Sequence, residues 1–156
     1  MLIYRVEFRA SVIEYLRGIA RYKKATNVGP YSNQGINFSQ NCPNSFKALR
    51  KIGFLGFEHY GQHRKRHPAP QEDADLMTSM IERNERYNIS EFHFGFGTIN
   101  QFRSWFDIPN REMMQECGFY LAVYEVEEND VHLGSTQCVF RLEKAELVSY
   151  VELEDI

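Results

Sequence analysis

The sequence predicts an α+β protein. Two observations carry this. Strand-like alternation opens the chain and dominates its last third, and helical spacing occupies parts of the stretch between. A third bears on size: 156 residues with 43% hydrophobic content suffice for one domain, 1–156, with a real core.

Residues 2–8 alternate, with Leu2, Tyr4, Val6 and Phe8 on one side and Ile3, Arg5 and Glu7 on the other. Residues 10–24 read as a helix through Val12, Ile13, Tyr15, Leu16 and Ile19, with Ser11 as its cap. Residues 27–45 are rich in Asn, Ser, Gly and Pro, which favour turns. Ser45 opens a short helix through Leu49 and Ile52. Pro68 and Pro70 mark a stiff boundary. From Asp73 to Arg86, Leu76, Met77, Met80 and Ile81 recur as one helical face. Residues 91–96 alternate as a strand, with Phe92, Phe94 and Phe96 on one side. Thr98 caps a helix holding Ile99, Phe102, Trp105 and Phe106, and Pro109 ends it or begins the next. Arg111–Cys117 is a helix stopped by Gly118. Phe119–Val126, Val131–Leu133, Gln137–Leu142 and Leu147–Leu153 are strands.

Several function classes recede on composition. A net charge of −3 argues against a domain built to hold nucleic acid. No apolar run approaches the ~18 residues of a membrane span, and the first residues lack a signal-peptide pattern. Cys42, Cys117 and Cys138 are far apart, which fits reduced thiols in a cytosolic protein. Aromatic content is 14%, high enough to line a ligand cleft as well as a core.

Six constellations carry possible chemistry. Arg5 sits in a regular strand, where its planar fork needs an anion or a partner; Glu7, Glu125 and Glu127 are the local alternatives. Gly29-Pro30-Tyr31-Ser32-Asn33 presents a ring and backbone N–H groups to a nucleotide, or is a plain surface loop. His67, held by Pro68, has Asp73 and Asp75 within a few positions, as a general base positioned by a carboxylate would. The plain alternative is a packed loop. His59, His63 and His67 fall at helical spacing for zinc, but Gly61 and Pro68 oppose a helix, so no metal is expected. His63-Arg64-Lys65-Arg66-His67 is a basic knot suited to phosphate, nucleic acid or an acidic protein, or a solvated loop. Trp105 with Phe102 and Phe106 reads as core packing, and Cys117 and Cys138 as small core residues.

Taken together, Tyr4-Arg5-Val6-Glu7, Gly29-Pro30-Tyr31, His67-Pro68-Ala69-Pro70 with Asp73, Phe94-Gly95-Phe96, Trp105-Phe106, Gly118-Phe119, Tyr124-Glu125-Val126 and Gly134–Phe140 resemble a family of small bacteriophage and prophage proteins. That resemblance covers nearly the whole chain and implies a phage setting more than a reaction. More distantly, the skeleton is similar to ADP-ribosyltransferases of the Arg–Ser–Glu type. This second resemblance implies that Arg5 grips the phosphates of NAD. Ser32 or Ser39 then stands for the family serine, and Gln137 occupies the place of the catalytic Glu. A Gln amide binds a ribose hydroxyl but carries no charge to stabilise an oxocarbenium-like centre. Catalysis would then fall to Glu125 or Glu143, or the domain would bind its nucleotide without turning it over.

The expected function is therefore binding or processing of NAD or an ADP-ribose-type nucleotide in the cytoplasm of a bacterial host, in host takeover or counter-defence. Arg5, Tyr31 and Ser32 would hold the ligand, and Gln137, His67 and Asp73 would line the reacting end. The alternative is a non-enzymatic inhibitor that binds a host protein through the aromatic loops 27–60 and the basic segment 63–67.

Overall fold

The computed structural model describes residues 1–8, 67–116 and 118–156. The expected helices at 10–24 and 45–52, the loop 27–45 and most of the basic knot lie outside these. The elements are β1 (Leu2–Phe8), α1 (Ala74–Glu82), β2 (His93–Gly95), α2 (Ile99–Trp105), α3 (Ile108–Glu116), β3 (Phe119–Glu125), β4 (Val131–Leu133), β5 (Cys138–Phe140) and β6 (Glu146–Val151). This is the α+β order the alternation predicts.

The described strands form two sheets, ordered β1-β3-β6 and β2-β5-β4. In the second, β5 is central and pairs antiparallel with both neighbours, so that Val139 stands opposite Phe94 and His132. An isolated antiparallel bridge joins Tyr4 to Phe96. The chain divides into two compact units: residues 1–5, 64–106 and 122–150 in one, and residues 6–63, 107–121 and 151–156 in the other.

In the first unit β5 is covered on both faces. Cys138 and Phe140 pack with Ile3, Ala122, Tyr124, Val126 and Val131. Val139, pointing the other way, packs with Leu76, Met80 and Phe92. An aromatic group of Phe94, Phe96, Phe102, Trp105 and Phe106 fills the space beside α2, with ring centroids 4.9–6.4 Å apart. In the second unit, α3 is capped by Asp107, whose carboxylate accepts from the Asn110 N–H at 3.1 Å, and Pro109 sits in its first turn. The helix stops at Gly118, whose φ of 91° only glycine adopts readily. Gln115 then takes the Glu154 N–H at 3.0 Å and donates to Glu152 at 2.9 Å.

Two elements, β2 and α1, depart from the sequence reading. The expected strand 91–96 shrinks to His93–Gly95, because Arg86–Glu91 winds into a 3-10 helix and Phe92 follows it. Ile81, assigned to the buried face of α1, is 55% exposed, while Leu76 and Met80 are fully buried. The helix itself ends at Glu82, where Asn84 turns the chain with a φ of 57°.

Candidate functional site

Asp73 has the best-defined surroundings of the expected site residues. It caps α1, accepting from the Leu76 N–H at 3.3 Å. The same carboxylate accepts from the N–H groups of Ser135 (3.1 Å) and Thr136 (3.0 Å) and from their hydroxyls (3.3 and 2.9 Å). Burial pushes its pKa up, but the hydrogen bonds from Thr136, Ser135 and Leu76 outweigh burial and hold it below the usual aspartate value. The approach of the loop requires Gly134, since a Cβ there would lie 2.4 Å from Asp73 Oδ2. Asp73 is thus a clasp between α1 and the turn before β5.

His67 is 3% exposed, and its Nε2 lies 2.7 Å from the Trp105 carbonyl oxygen, which it meets as a donor. Its ring packs on Trp105 at 4.6 Å. The expected pairing with Asp73 or Asp75 is not among the described contacts of either residue. Gln137 is completely buried; its Nε2 donates to the Pro68 carbonyl at 3.0 Å, and its Oε1 has no hydrogen-bond partner among the described residues. The expectation that Gln137 projects from a strand beside that of Arg5 is corrected: Gln137 precedes β5, and Arg5 lies on β1, in the other sheet. The reason is that β5 is covered on both faces, so alternation turns Gln137 toward the Pro68 segment.

Arg5 is 1% exposed on β1, which takes one end of the described strand order and not a central place. Its guanidinium donates to the Phe94 carbonyl. Its charge reaches His93, whose pKa is lowered first by burial and then by Arg5. Tyr31, Ser32 and Ser39 lie outside the described residues, as do His59 and His63. Among the described residues no three His, Cys, Asp or Glu side chains come together as a metal-ligand set.

A second cluster escaped the sequence reading. Asn84 ends α1 in a Schellman turn: the Glu85 N–H donates to the Met80 carbonyl at 2.8 Å and the Asn84 N–H to that of Ile81 at 3.0 Å. This turn aims Glu85 back at β4. Glu85 Oε2 lies 2.6 Å from Nε2 of His132, a fully buried residue at the middle of β4. His132 Nδ1 lies 2.9 Å from Ser79 Oγ on α1. Arg141 holds the other Glu85 oxygen at 2.8 Å, reaches Glu91 at 2.9 Å and stacks over Phe92 at 4.5 Å. Glu85 is kept well ionised, first by the Arg141 hydrogen bond and then, against partial burial, by His132. Ser79 also lines a cleft of about 340 Å³ with Met1, Arg83, Glu128, Val131 and Leu133. In sequence the only signal was a histidine between Val131 and Leu133. Its partners stand 47 and 53 positions away, beyond any spacing rule.

Fold and sites together define a small α+β protein whose polar interior joins α1 to the β2-β5-β4 sheet. The chain belongs to the Bacteriophage T4 Y00F protein family, whose model matches residues 1–154. It is 30% identical over 171 residues to the "Uncharacterized 19.7 kDa protein in motB-dexA intergenic region" of Enterobacteria phage T4, covering 98% of this chain and 99% of that protein. No solved structure matches. The phage resemblance read from the sequence is thereby borne out. Among the described residues no helix is long and apolar enough to cross a membrane.

Proposed function

We propose that this phage-family protein acts in the infected cell by binding a host protein, holding an extended segment of it along β6. The observation that carries this reading is the uncovered strand. Leu147 is 43% and Val148 56% exposed, and Glu146 and Ser149 beside them are exposed too. Successive strand residues point to opposite faces, so apolar side chains stand open on both. Among the described strands β6 also ends its sheet. An apolar terminal strand is a template for a further strand. The exposed carboxylates of Glu143 and Glu146 favour a partner segment with basic flanks.

The nucleotide reading, with its ADP-ribosyltransferase-like fold, is the competing proposal. It asks Arg5 and Gln137 to face a bound ligand, whereas the geometry turns both onto backbone carbonyls inside the first unit. One experiment separates the two. A photo-crosslinking residue at position 149 should capture one host protein in cells, and Val148→Lys should abolish the capture while the fold's melting temperature holds. Capture unaffected by Val148→Lys overturns the β6 reading. Stabilisation by NAD or ADP-ribose, about 2.7 kcal/mol at 100 times the dissociation constant, would favour the nucleotide proposal instead.

A further inference from the structure

We propose that Ser79, His132 and Glu85 form a nucleophilic relay that cleaves small esters carrying a short apolar acyl group. Its starting point is hydrogen-bond bookkeeping. The Glu85 carboxylate can only accept, so the proton of the neutral His132 ring sits on Nε2, 2.6 Å away. Nδ1 is then a bare acceptor, and the Ser79 hydroxyl donates to it at 2.9 Å. A serine hydrogen-bonded to a histidine that is itself held by a carboxylate is the arrangement that activates a hydroxyl for attack. The ring is used the other way round from serine proteases, with serine on Nδ1 and carboxylate on Nε2. The relay depends on roles and distances, and the distances, 2.9 and 2.6 Å, are within hydrogen-bond reach.

The relay has an opening. His132 is fully buried, but Ser79 is half-buried and lines the cleft of about 340 Å³. That volume lies at the small end of ligand sites. Val131 and Leu133 give it apolar walls suited to a short acyl chain. Arg83, one helical turn after Ser79, lines it too. Its Nη1 is fixed by the carbonyls of Glu128, Asn129 and Val131 at 3.1–3.2 Å, which holds a positive charge on the wall of the cleft. Glu128 is the acidic group on the cleft wall and disfavours an anionic alcohol portion.

In the reaction, Ser79 Oγ bonds to the ester carbonyl carbon and its proton passes to His132 Nδ1. The carbon–oxygen bond to the alcohol breaks, and the departing oxygen takes the proton from Nδ1, leaving an ester on Ser79. Water then attacks the acyl carbon and gives a proton to Nδ1; the bond from that carbon to Ser79 Oγ breaks, Oγ takes the proton back from Nδ1, and the acid leaves. Ser79 and His132 are the catalytic residues; Glu85 positions the ring.

The test uses the full chain with a fluorophosphonate probe and p-nitrophenyl butyrate. The probe should label Ser79, mapped by peptide mass spectrometry, and hydrolysis should fall by at least about 100-fold in Ser79→Ala and His132→Gln. Ser104→Ala, an exposed serine on α2, should leave both readouts unchanged. Glu85→Gln should slow labelling by about tenfold and change its pH profile, because the ring loses its fixed tautomer. Since His132→Gln disturbs a buried site, Ser79→Cys gives an independent readout. Its thiol should alkylate with iodoacetamide faster than a free thiol at neutral pH, since His132 takes its proton. Wild-type protein that is folded and labelled no faster than Ser79→Ala, or a Ser79→Cys thiol that reacts no faster than a free one, overturns the relay.

Discussion

Replacing Asp73 by Ala should be among the most damaging single changes in the described residues. The carboxylate is 3% exposed and accepts five hydrogen bonds, three of them from the backbone N–H groups of Leu76, Ser135 and Thr136. Stranding a buried donor costs about 1–3 kcal/mol, and losing a helix cap about 1 kcal/mol. Ser135 is exposed, so water re-satisfies part of the loss. A total of about 3 kcal/mol is reasonable for three donors of which one rehydrates. For a chain of this length that lowers the melting temperature by about 6–12 °C. The acid side gives a second readout. Because the folded-state pKa of Asp73 is lowered, its contribution is full above the ordinary aspartate value of about 3.9 and drains as pH falls through the lowered value. Asp73→Ala should therefore lose less stability than wild type on acidification. Gly134→Ala adds a cycle: its Cβ strikes the Asp73 carboxylate, so it should destabilise wild type clearly and Asp73→Ala little. Calorimetry of the four proteins is the assay. An Asp73→Ala protein melting within about 2 °C of wild type, where the size scaling predicts more, would refute the clasp.

Arg141→Lys should lower the urea midpoint despite keeping the charge, because one ammonium cannot bridge Glu85 and Glu91 and stack on Phe92 together; an unchanged midpoint would count against the bridge. Burial pushes the Cys138 thiol far above its ordinary value. Peptide mapping after brief alkylation should find it protected in the native protein and labelled only once the chain is unfolded.

What was legible in the sequence was whatever local spacing controls. The alternation at 119–125 marks β3, Thr98 caps α2 by accepting from the Gln101 N–H at 3.1 Å, and Gly118 stops α3. Leu76 and Met80 fall on the buried face of α1 as their spacing demands. Illegible was the pairing of side chains far apart in sequence. Asp73 lies within six residues of His67, and that proximity suggested a general base with its carboxylate. The donors that reach it are 62 and 63 positions away. His132 looked like an ordinary strand residue for the same reason. The short 3-10 helix at 86–91 was missed because Ile89 and Phe92 belong to the core group under α1, and tertiary packing overrode the alternation.

Gln137 decides between the two histories the sequence suggests for its position. Under the nucleotide proposal Gln137→Glu restores a catalytic carboxylate and should raise NAD turnover. The geometry predicts a different outcome. The side chain is fully buried and its Nε2 donates to the Pro68 carbonyl at 3.0 Å. A carboxylate there sets acceptor against acceptor and removes a charge from water. The loss should reach about 3–5 kcal/mol, detectable as a large fall in melting temperature at neutral pH. Protonation supplies a donor again, so the buried Glu has a raised folded-state pKa. For such an acid the penalty is small below its unfolded value of about 4.3 and grows as pH rises through and above it. The melting-temperature gap between Gln137→Glu and wild type should therefore widen from mildly acidic to mildly alkaline buffer. A variant that melts like wild type across that range and gains NAD turnover would place Gln137 at a reacting centre and remove its role as the tie that holds the Pro68 segment.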